Sequence, residues 1–225
     1  MTKKVLFALT SHDTLGNTGR KTGFYVPEVA HPAGVFRASG YEISYVSVDG
    51  GPVPQDGVDP EDEVVTAFLA DPTAQQALAS TPIASQLNAE DYDIIYFAGG
   101  HGTMWDFPDA ADLARLAAAV YENGGVVAAV CHGPAGLVNI RLGDGSHLVS
   151  DKQVASFTND EEAAVGLDGV VPFLLEDKLV ERGARHTKAA NFAEHAVADR
   201  RLVTGQNPAS ASLVAELAIK ELANA

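Results

Sequence analysis

Short apolar segments alternate with helix-forming segments along most of the chain, and this alternation restricts the fold more than any other feature. Residues 3–9, 41–48, 92–98 and 126–130 are rich in Val, Ile and aromatic side chains, as buried strands are. Strands that alternate with helices are typical of a parallel sheet covered on both faces. We therefore predict an α/β fold in which a mostly parallel sheet is sandwiched between helices.

The remaining segments fit the same plan. Further strands are predicted at 153–157 and 201–204, and loops rich in Gly or Pro at 16–23 and 50–59. Helices are predicted at 27–38, 61–70, 73–79, 110–122, 136–139, 172–182 and 208–223. No linker, repeat or low-complexity segment divides the 225 residues, a length that can bury a full core. We expect a single domain that spans residues 1–225.

Charge and cysteine content limit the partners and the compartment. The formal net charge of −15 disfavours binding to nucleic acid and to anionic membranes. The apolar run at residues 5–9 is too short for the core of a signal peptide, and no run is long enough to span a membrane. A single cysteine rules out an internal disulfide and agrees with a reducing compartment. We expect a cytoplasmic protein with no nucleic-acid or membrane partner.

The single cysteine, Cys131, follows the strand predicted at 126–130 and precedes His132, Gly133 and Pro134. Gly and Pro suit a sharp turn from a strand into a helix, where a side chain is held out over the sheet edge. A helix N-terminus and a neighbouring histidine would both lower the pKa of the thiol. The general alternative is a buried and inert cysteine. The polar turn after Cys131 favours an activated nucleophile.

Three polar loops follow predicted strands, at 10–12, 99–102 and 131–134. In a parallel sheet such loops meet at the carboxyl edge of the strands, where ligands bind. The loop Gly99-Gly100-His101-Gly102 could turn backbone N–H groups towards an oxyanion beside the thiol, although glycines also mark ordinary turns. The loop is not a dinucleotide-binding fingerprint, because Gly-x-Gly-x-x-Gly is absent here.

Two acidic features are candidate proton carriers or orienting groups. Glu28 lies at the start of an apolar helix, where it either complements the helix dipole or moves protons at a carbonyl carbon. The acidic run at 160–162 either orients His132 or forms a solvated helical turn capped by Thr158 or Asn159. Adjacency does not by itself make His132 the base for Cys131, because neighbouring side chains on a strand point apart.

The other histidines give no sign of a metal site. They show no paired spacing such as His-x-x-x-His, and one cysteine makes a structural zinc site improbable. These residues are His12, His31, His147, His186 and His195. We expect neither a metal nor an organic cofactor.

Taken together, the motifs resemble the ThiJ/PfpI superfamily, whose members have a flavodoxin-like, class I glutamine amidotransferase-like fold. The similarity is nearest to the glutathione-independent glyoxalase branch, glyoxalase III, which also contains heat-shock chaperones. It covers nearly the whole chain in the expected order. The matching elements are Pro27-Glu28 with His31-Pro32, Ala98-Gly-Gly-His-Gly102, Ala129-Val-Cys-His-Gly-Pro134, Val171-Pro-Phe-Leu-Leu-Glu-Asp177 and Thr204-Gly-Gln-Asn-Pro-Ala-Ser210. One departure is Ser156-Phe-Thr158, where relatives usually have Gly-Phe-Thr.

The resemblance implies a role for each site residue. Cys131 would be the nucleophile, His132 its imidazole partner, and Glu28 an acid in contact with the thiol. Backbone N–H groups of Gly100 and His132 would bind the oxyanion, with His101 also lining the substrate site. The acid that orients His132 looks most like Glu162, and Asp160 and Glu161 remain open alternatives.

The reaction that the resemblance implies is conversion of methylglyoxal, or a related 2-oxoaldehyde, to a 2-hydroxy acid. It would be a lyase of the hydro-lyase, D-lactate dehydratase class, acting in detoxification and the stress response through a hemithioacetal on cysteine. Alternatives with the same thiol are a protein or nucleotide deglycase, a cysteine peptidase or amidase, and a holdase chaperone or redox stress protein. The chain lacks a large inserted cap domain, which argues against a deep chaperone-type linker region. A homodimer remains open.

Overall fold

The computed structural model describes residues 2–225, which form a mostly parallel sheet flanked by helices. In chain order the strands are β1 Lys4–Leu9, β2 Phe24–Tyr25, β3 Glu42–Ser47, β4 Gln55–Asp56, β5 Ile94–Phe97, β6 Val126–Val130, β7 Gln153–Val154, β8 Arg185–His186, β9 Ala196–Asp199 and β10 Leu202–Gly205. The helices are α1 Pro27–Ala38, α2 Glu63–Ala70, α3 Pro72–Leu78, α4 Thr103–Asp106, α5 Ala111–Glu122, α6 Asn159–Ala164, α7 Leu175–Glu181 and α8 Ala211–Ala223.

The central sheet has the order β3-β1-β5-β6-β10-β9. The first five strands are parallel, and β9 joins β10 antiparallel at one edge. Numbered among themselves, the parallel strands follow the flavodoxin-like order 2-1-3-4-5. The predicted flavodoxin-like α/β fold is therefore confirmed.

Each face of the sheet buries its own apolar cluster. One cluster packs α1 and α8 against the sheet through residues such as Phe36 and Val214. The other includes Leu116 of α5 and Leu179 of α7. Strands β1, β5 and β6 are buried on both faces, which explains their almost unbroken apolar sequences. Among residues 2–225, no helix combines the length and apolar character that crossing a bilayer requires.

Several predicted boundaries are wrong for local reasons. The segment after Cys131 is a 3-10 helix, Gly133–Leu137, and the α-helix predicted at 136–139 does not form. The strand predicted at 153–157 stops at Val154, because the chain then turns towards α6. Helix α2 begins at Glu63 and not at residue 61, since the side chain of Asp62 caps it by accepting from Val64 N and Val65 N.

The short strands β2, β4 and β8 and the edge strand β9 were not predicted. Strand β2 pairs with β4, and β8 pairs with β7, the observed part of the strand predicted at 153–157. Strands of two residues are too short for an alternation of apolar and polar residues to appear in the sequence. The helix predicted at 172–182 is observed only from Leu175 to Glu181. The edge strand β9 reads Ala-Val-Ala-Asp, which lacks the β-branched run of a central strand.

Candidate active site

Cys131 lies directly after β6 in a left-handed backbone conformation, with φ of +59°. This is an unfavourable region for a residue with a Cβ, and the neighbouring structure holds it there. Its N–H donates to Gly205 O at 3.0 Å, and its carbonyl accepts from Phe157 N at 2.8 Å. A side chain at Gly133 would collide with the carbonyl oxygen of Phe97, so glycine is required at this position, two residues after Cys131. The strained corner predicted from the sequence is observed.

The corner brings the His132 ring back to the thiol. Nδ1 of His132 lies 3.3 Å from Sγ of Cys131, and Nε2 lies 2.7 Å from Oε2 of Glu162. Because Glu162 is ionised, Nε2 must carry the proton, which leaves the Nδ1 lone pair facing the sulfur. Side chains of adjacent residues point apart on a strand, but the backbone at Cys131 is not strand-like. Its φ of +59° lets the side chains of Cys131 and His132 approach each other.

Of the three candidate acids, Glu162 is the one that hydrogen-bonds to His132. Its other oxygen, Oε1, accepts from Nε2 of His101 at 2.8 Å. Burial opposes ionisation, but the hydrogen bonds from His101 and His132 outweigh it and lower the pKa of Glu162 to about 2. Asp160 points outward to Lys188, and Glu161 faces another buried network. Thr158 caps α6 with a capping box, so residues 160–162 do form a capped helical turn. The turn is not solvated as expected, because Glu161 and Glu162 are buried.

His132 is held neutral by its surroundings. Its ring lies 4.1 Å from the ring of His101 and 4.4 Å from that of Phe157, measured between centroids. Burial, together with the neighbouring His101, lowers the pKa of His132 to about 4, and the contacts with Glu162 offset only part of this fall. A neutral imidazole at physiological pH can accept a proton from the thiol.

Glu28 lies on the other side of the sulfur, in the first turn of α1, and is completely buried. Its Oε2 accepts from Gly99 N at 2.9 Å, and its Oε1 has no hydrogen-bond partner. Burial raises the pKa of Glu28 to about 8, although the thiol of Cys131 and the Gly99 N–H act in the opposite direction. A surface acid that serves a helix dipole would not be buried in this way, so the helix-dipole interpretation of Glu28 is insufficient.

The predicted lowering of the thiol pKa is wrong. Burial raises the pKa of Cys131 well above its usual value, and the Glu28 carboxyl adds to the rise when it is ionised. Neither expected cause of acidity is present, because the following helix is a short 3-10 turn and His132 is neutral. At neutral pH Glu28 is mostly protonated, so its charge is absent and its O–H can donate towards the sulfur.

The loop after β5 supplies the backbone of the site. Gly100 has φ of +106°, and a Cβ there would collide with the carbonyl oxygen of Gly23. The hydroxyl of Thr103 donates to Gly100 O at 2.8 Å and to His132 O at 3.0 Å. Within residues 2–225, neither the Gly100 N–H nor the His132 N–H donates to an oxygen. Both groups are therefore free to bind an oxyanion, and Thr103, which sequence reasoning missed, links their two carbonyls.

These groups open on a single cavity of about 400 Å³. Its polar floor contains Glu28, Gly100, His101, Cys131 and His132, the residues that the sequence singled out. Glu162 supports the histidines from behind. Phe157 and Phe192 line an apolar wall that was not predicted, because Phe192 is in a loop without a motif.

One departure from the family pattern and one cluster of possible metal ligands have clear partners near the site. Ser156, which departs from the pattern of relatives, is completely buried, and its hydroxyl lies 3.0 Å from Nε2 of His186. His101, His132 and Glu162 have ligand atoms within 4.8 Å of one another and are a donor set that zinc accepts. The spacing of the histidines in the sequence does not indicate this cluster, because its members are about 30 residues apart. Direct hydrogen bonds account for its geometry.

Comparison with known proteins places the chain in a family. Residues 21–221 match the model of the DJ-1/PfpI family. A glutathione-independent glyoxalase of Saccharomyces cerevisiae is 38% identical over 238 residues, covering 99% of each chain. The crystal structure of glyoxalase III from Candida albicans superimposes with a TM-score of 0.89 at 36% identity, covering 97% of each chain. The Rapid Encystment Protein 24 KDa of Francisella tularensis superimposes with a TM-score of 0.94 at 40% identity, over 98% of this chain and 99% of that one. This chain therefore belongs to the DJ-1/PfpI family.

Proposed function

We propose that this protein is a glutathione-independent glyoxalase that converts methylglyoxal or a related 2-oxoaldehyde to a 2-hydroxy acid. The observation that carries the proposal is the position of the Cys131 thiol between a neutral imidazole and a buried, protonated carboxyl group. The reaction needs a nucleophile and two groups that exchange protons with the substrate, and these three side chains meet that need. The names of the similar yeast and Candida proteins support the same activity.

The first step adds the thiol to the aldehyde carbon. Cys131 Sγ bonds to that carbon and passes its proton to Nδ1 of His132, which lies 3.3 Å away. The Gly100 and His132 N–H groups bind the aldehyde oxygen, and Glu28 donates its proton to it. The resulting hemithioacetal leaves Glu28 ionised and His132 protonated, with Glu162 stabilising the imidazolium through the 2.7 Å contact.

The second step moves hydrogen between the two substrate carbons. Ionised Glu28 removes the hydrogen, as a proton, from the carbon bonded to sulfur, which gives an enediolate, and returns the proton to the adjacent carbon. The proton of the first hydroxyl passes to the second oxygen, so the product is a thioester of a 2-hydroxy acid. The raised pKa of Glu28, about 8, makes it a stronger base than an ordinary carboxylate.

Hydrolysis of the thioester returns the enzyme to its starting state. Water attacks the thioester carbonyl and gives a proton to Glu28, while His132 returns its proton to the departing sulfur. Cys131, Glu28 and His132 then carry the protons that they carried at the start. The cycle derived from these side chains uses no metal or organic cofactor.

The direct test is incubation of the purified protein with methylglyoxal in the absence of glutathione. We expect methylglyoxal to disappear and a stoichiometric amount of lactate to form, measured enzymatically for each enantiomer. Protein with Cys131 blocked by alkylation is the control. If unblocked, folded protein forms no more lactate than blocked protein, the proposed function is wrong.

The pH profile of kcat/KM is expected to be bell-shaped, with its limbs near the pKa of His132, about 4, and that of Glu28, about 8. Below the acid limb His132 is protonated and cannot accept the thiol proton. Above the alkaline limb Glu28 has lost the proton that it donates, and its charge opposes ionisation of the sulfur. Initial rates across the pH range, with stability checked at each pH, measure both limbs. A kcat/KM that continues to rise above the pKa of Glu28 would contradict the role of Glu28 as an acid.

Exhaustive dialysis against a chelator is expected to leave kcat unchanged. The reason is that Glu162 already accepts hydrogen bonds from His101 and His132, the residues that would otherwise hold an ion. Elemental analysis of the dialysed protein verifies removal. Loss of activity that added zinc restores would show that the cycle written above is incomplete.

Other uses of the thiol receive less support. Holdase action needs a large exposed apolar patch. The exposed large apolar side chains of the described residues are few, and two of them, Val165 and Phe192, line the cavity of Cys131; the five are Val58, Val64, Val165, Val180 and Phe192. Deglycase and peptidase activities would use the same nucleophile, and substrate assays distinguish them from glyoxalase activity.

A cytoplasmic location is proposed on the ground that a reducing compartment keeps a lone catalytic thiol free.

A further inference from the structure

The segment between β8 and β9 carries an aromatic side chain to the cavity of Cys131. Phe192 lines that cavity, and its side chain is half-exposed, at 50%. Its ring lies 6.3 Å from that of Phe157, which in turn lies 4.4 Å from the His132 ring. Phe192 also has φ of +61°, an unfavourable conformation for a bulky residue. An exposed aromatic residue held in such a conformation requires an explanation.

The side chain of Glu161 supplies the constraint on Phe192. Its Oε1 accepts from Phe192 N at 2.7 Å, from Gln206 Nε2 at 3.0 Å and from Asn207 Nδ2 at 2.9 Å. Its Oε2 accepts from the N–H and hydroxyl of Thr158 at 3.0 and 3.1 Å. Burial opposes ionisation, yet these donors lower the pKa of Glu161. The carboxylate is completely buried and fully paired.

Gln206 and Asn207 hold the rest of the segment. Gln206 accepts from Ala189 N at 2.8 Å, and Asn207 donates to Ala193 O at 2.7 Å. Both side chains are completely buried, like Glu161. Three buried polar side chains are thus committed to fixing one short surface segment, although ordinary surface loops need no such internal network. We name this network, Glu161 with Gln206 and Asn207, the loop clamp.

We propose that Phe192 is the residue that limits the size of molecules reaching Cys131, and that Glu161 is a positioning residue that acts on the site through Phe192. The arrangement of α6 supports this, because its consecutive acids face different partners. Glu162 faces the histidines beside the nucleophile, whereas Glu161 faces the loop over the same cavity. Neither Phe192 nor the loop clamp takes part in proton transfer. For the proposed glyoxalase reaction, Phe192 would select among 2-oxoaldehydes by the size of their substituent. Only this selection among 2-oxoaldehydes rests on the proposed function.

Alkylation of Cys131 tests the proposal without reference to turnover. The rates of reaction with iodoacetamide and with a fluorescein maleimide are measured at one pH by intact mass. Phe192→Ala is expected to raise the ratio of the bulky to the small reagent's rate by roughly tenfold, a low value for selection by pocket shape. Val180→Ala, at another exposed apolar position, is the control and should leave the ratio unchanged. An unchanged ratio in Phe192→Ala would overturn the proposal.

Gln206→Met tests the clamp, because methionine keeps the length of the side chain and removes its hydrogen bonds. It should raise the same ratio, and combining it with Phe192→Ala should give no further increase, since both changes act through one side chain. Equal acceleration of both reagents would indicate general loosening and count against the clamp.

Hydrogen exchange in the unmodified protein tests the clamp independently of whether the Gln206→Met variant folds. The Phe192 amide should be protected relative to that of exposed Glu194, and equal exchange would overturn the clamp.

Turnover separates this inference from the proposed function. If the wild-type protein acts on methylglyoxal, Phe192→Ala should raise kcat/KM for phenylglyoxal relative to methylglyoxal by roughly the same tenfold factor. If the wild-type protein has no glyoxalase activity but Phe192→Ala still changes the alkylation ratio, the proposed function is refuted and the size-limiting role of Phe192 stands. If the wild-type protein is active but Phe192→Ala leaves both ratios unchanged, the proposed function stands and the size-limiting role of Phe192 is refuted.

Discussion

Cys131→Ser is expected to reduce methylglyoxal turnover by on the order of 10⁴-fold or more, because a hydroxyl adds to an aldehyde without forming a usable thioester. The side chain is buried and its volume barely changes, so the fold should persist. Both backbone groups at the corner remain hydrogen-bonded to Gly205 and Phe157. Lactate formation and a thermal melt of the same preparation measure the two effects.

A control for this change is Ser150→Ala, a small substitution outside the cavity that should leave kcat intact. Near-wild-type turnover by folded Cys131→Ser would show that the nucleophile has been wrongly assigned. Loss of turnover together with loss of the melting transition would move the test to Cys131 alkylated in the native protein.

Glu28→Gln is expected to lower kcat by roughly 10²–10⁴-fold, the usual contribution of a positioned general acid or base. Glutamine can still accept from Gly99 N, so the first turn of α1 and the loop after β5 keep their contact. The substitution removes the proton that Glu28 is proposed to donate and recover. Steady-state kinetics with methylglyoxal, together with alkylation of Cys131 to show that the thiol remains reactive, give the measurement.

The matched control for Glu28→Gln is Glu63→Gln. Glu63 is also an acid in the first turn of a helix, α2, but it is exposed and remote from the cavity. It should change kcat by less than about twofold and stability only slightly, as a helix-dipole residue does. If the two variants behave alike, Glu28 has no part in proton transfer.

The sequence was sufficient to predict the parts of the site that depend on local chemistry. The Val-rich strand β6 and the Gly-Pro turn gave the position and strain of Cys131, since only a sharp corner suits that combination. The position of Glu28 in the first turn of α1 could also be predicted from the sequence. Assignment of residues 1–225 to one domain remains a prediction, as do the catalytic roles.

What could not be predicted depends on tertiary packing. Which of three consecutive acids faces His132 depends on the phase of α6, and Thr158 sets that phase by capping. The prediction of a lowered thiol pKa was wrong because the sequence shows the following turn and the histidine but does not show that Cys131 is buried beside Glu28. Phe192 lies in a loop that residues of two distant segments hold in place, so no spacing in the sequence predicts that its side chain lines the cavity.

Glu28 also has a consequence for the conformational stability of the whole molecule. Its pKa is about 8 in the folded protein, against an ordinary value of 4.5 in the unfolded chain. Between those values the unfolded chain releases a proton that the folded protein keeps, so the free energy of unfolding falls by several kcal/mol as pH rises across that window. Below the window both states are protonated and the penalty vanishes. An inactive Glu28→Gln protein should therefore melt at a higher temperature than the wild type at pH 8, and the same at pH 4. The proposed catalytic role and resistance to thermal unfolding therefore make opposite demands on this one carboxyl group.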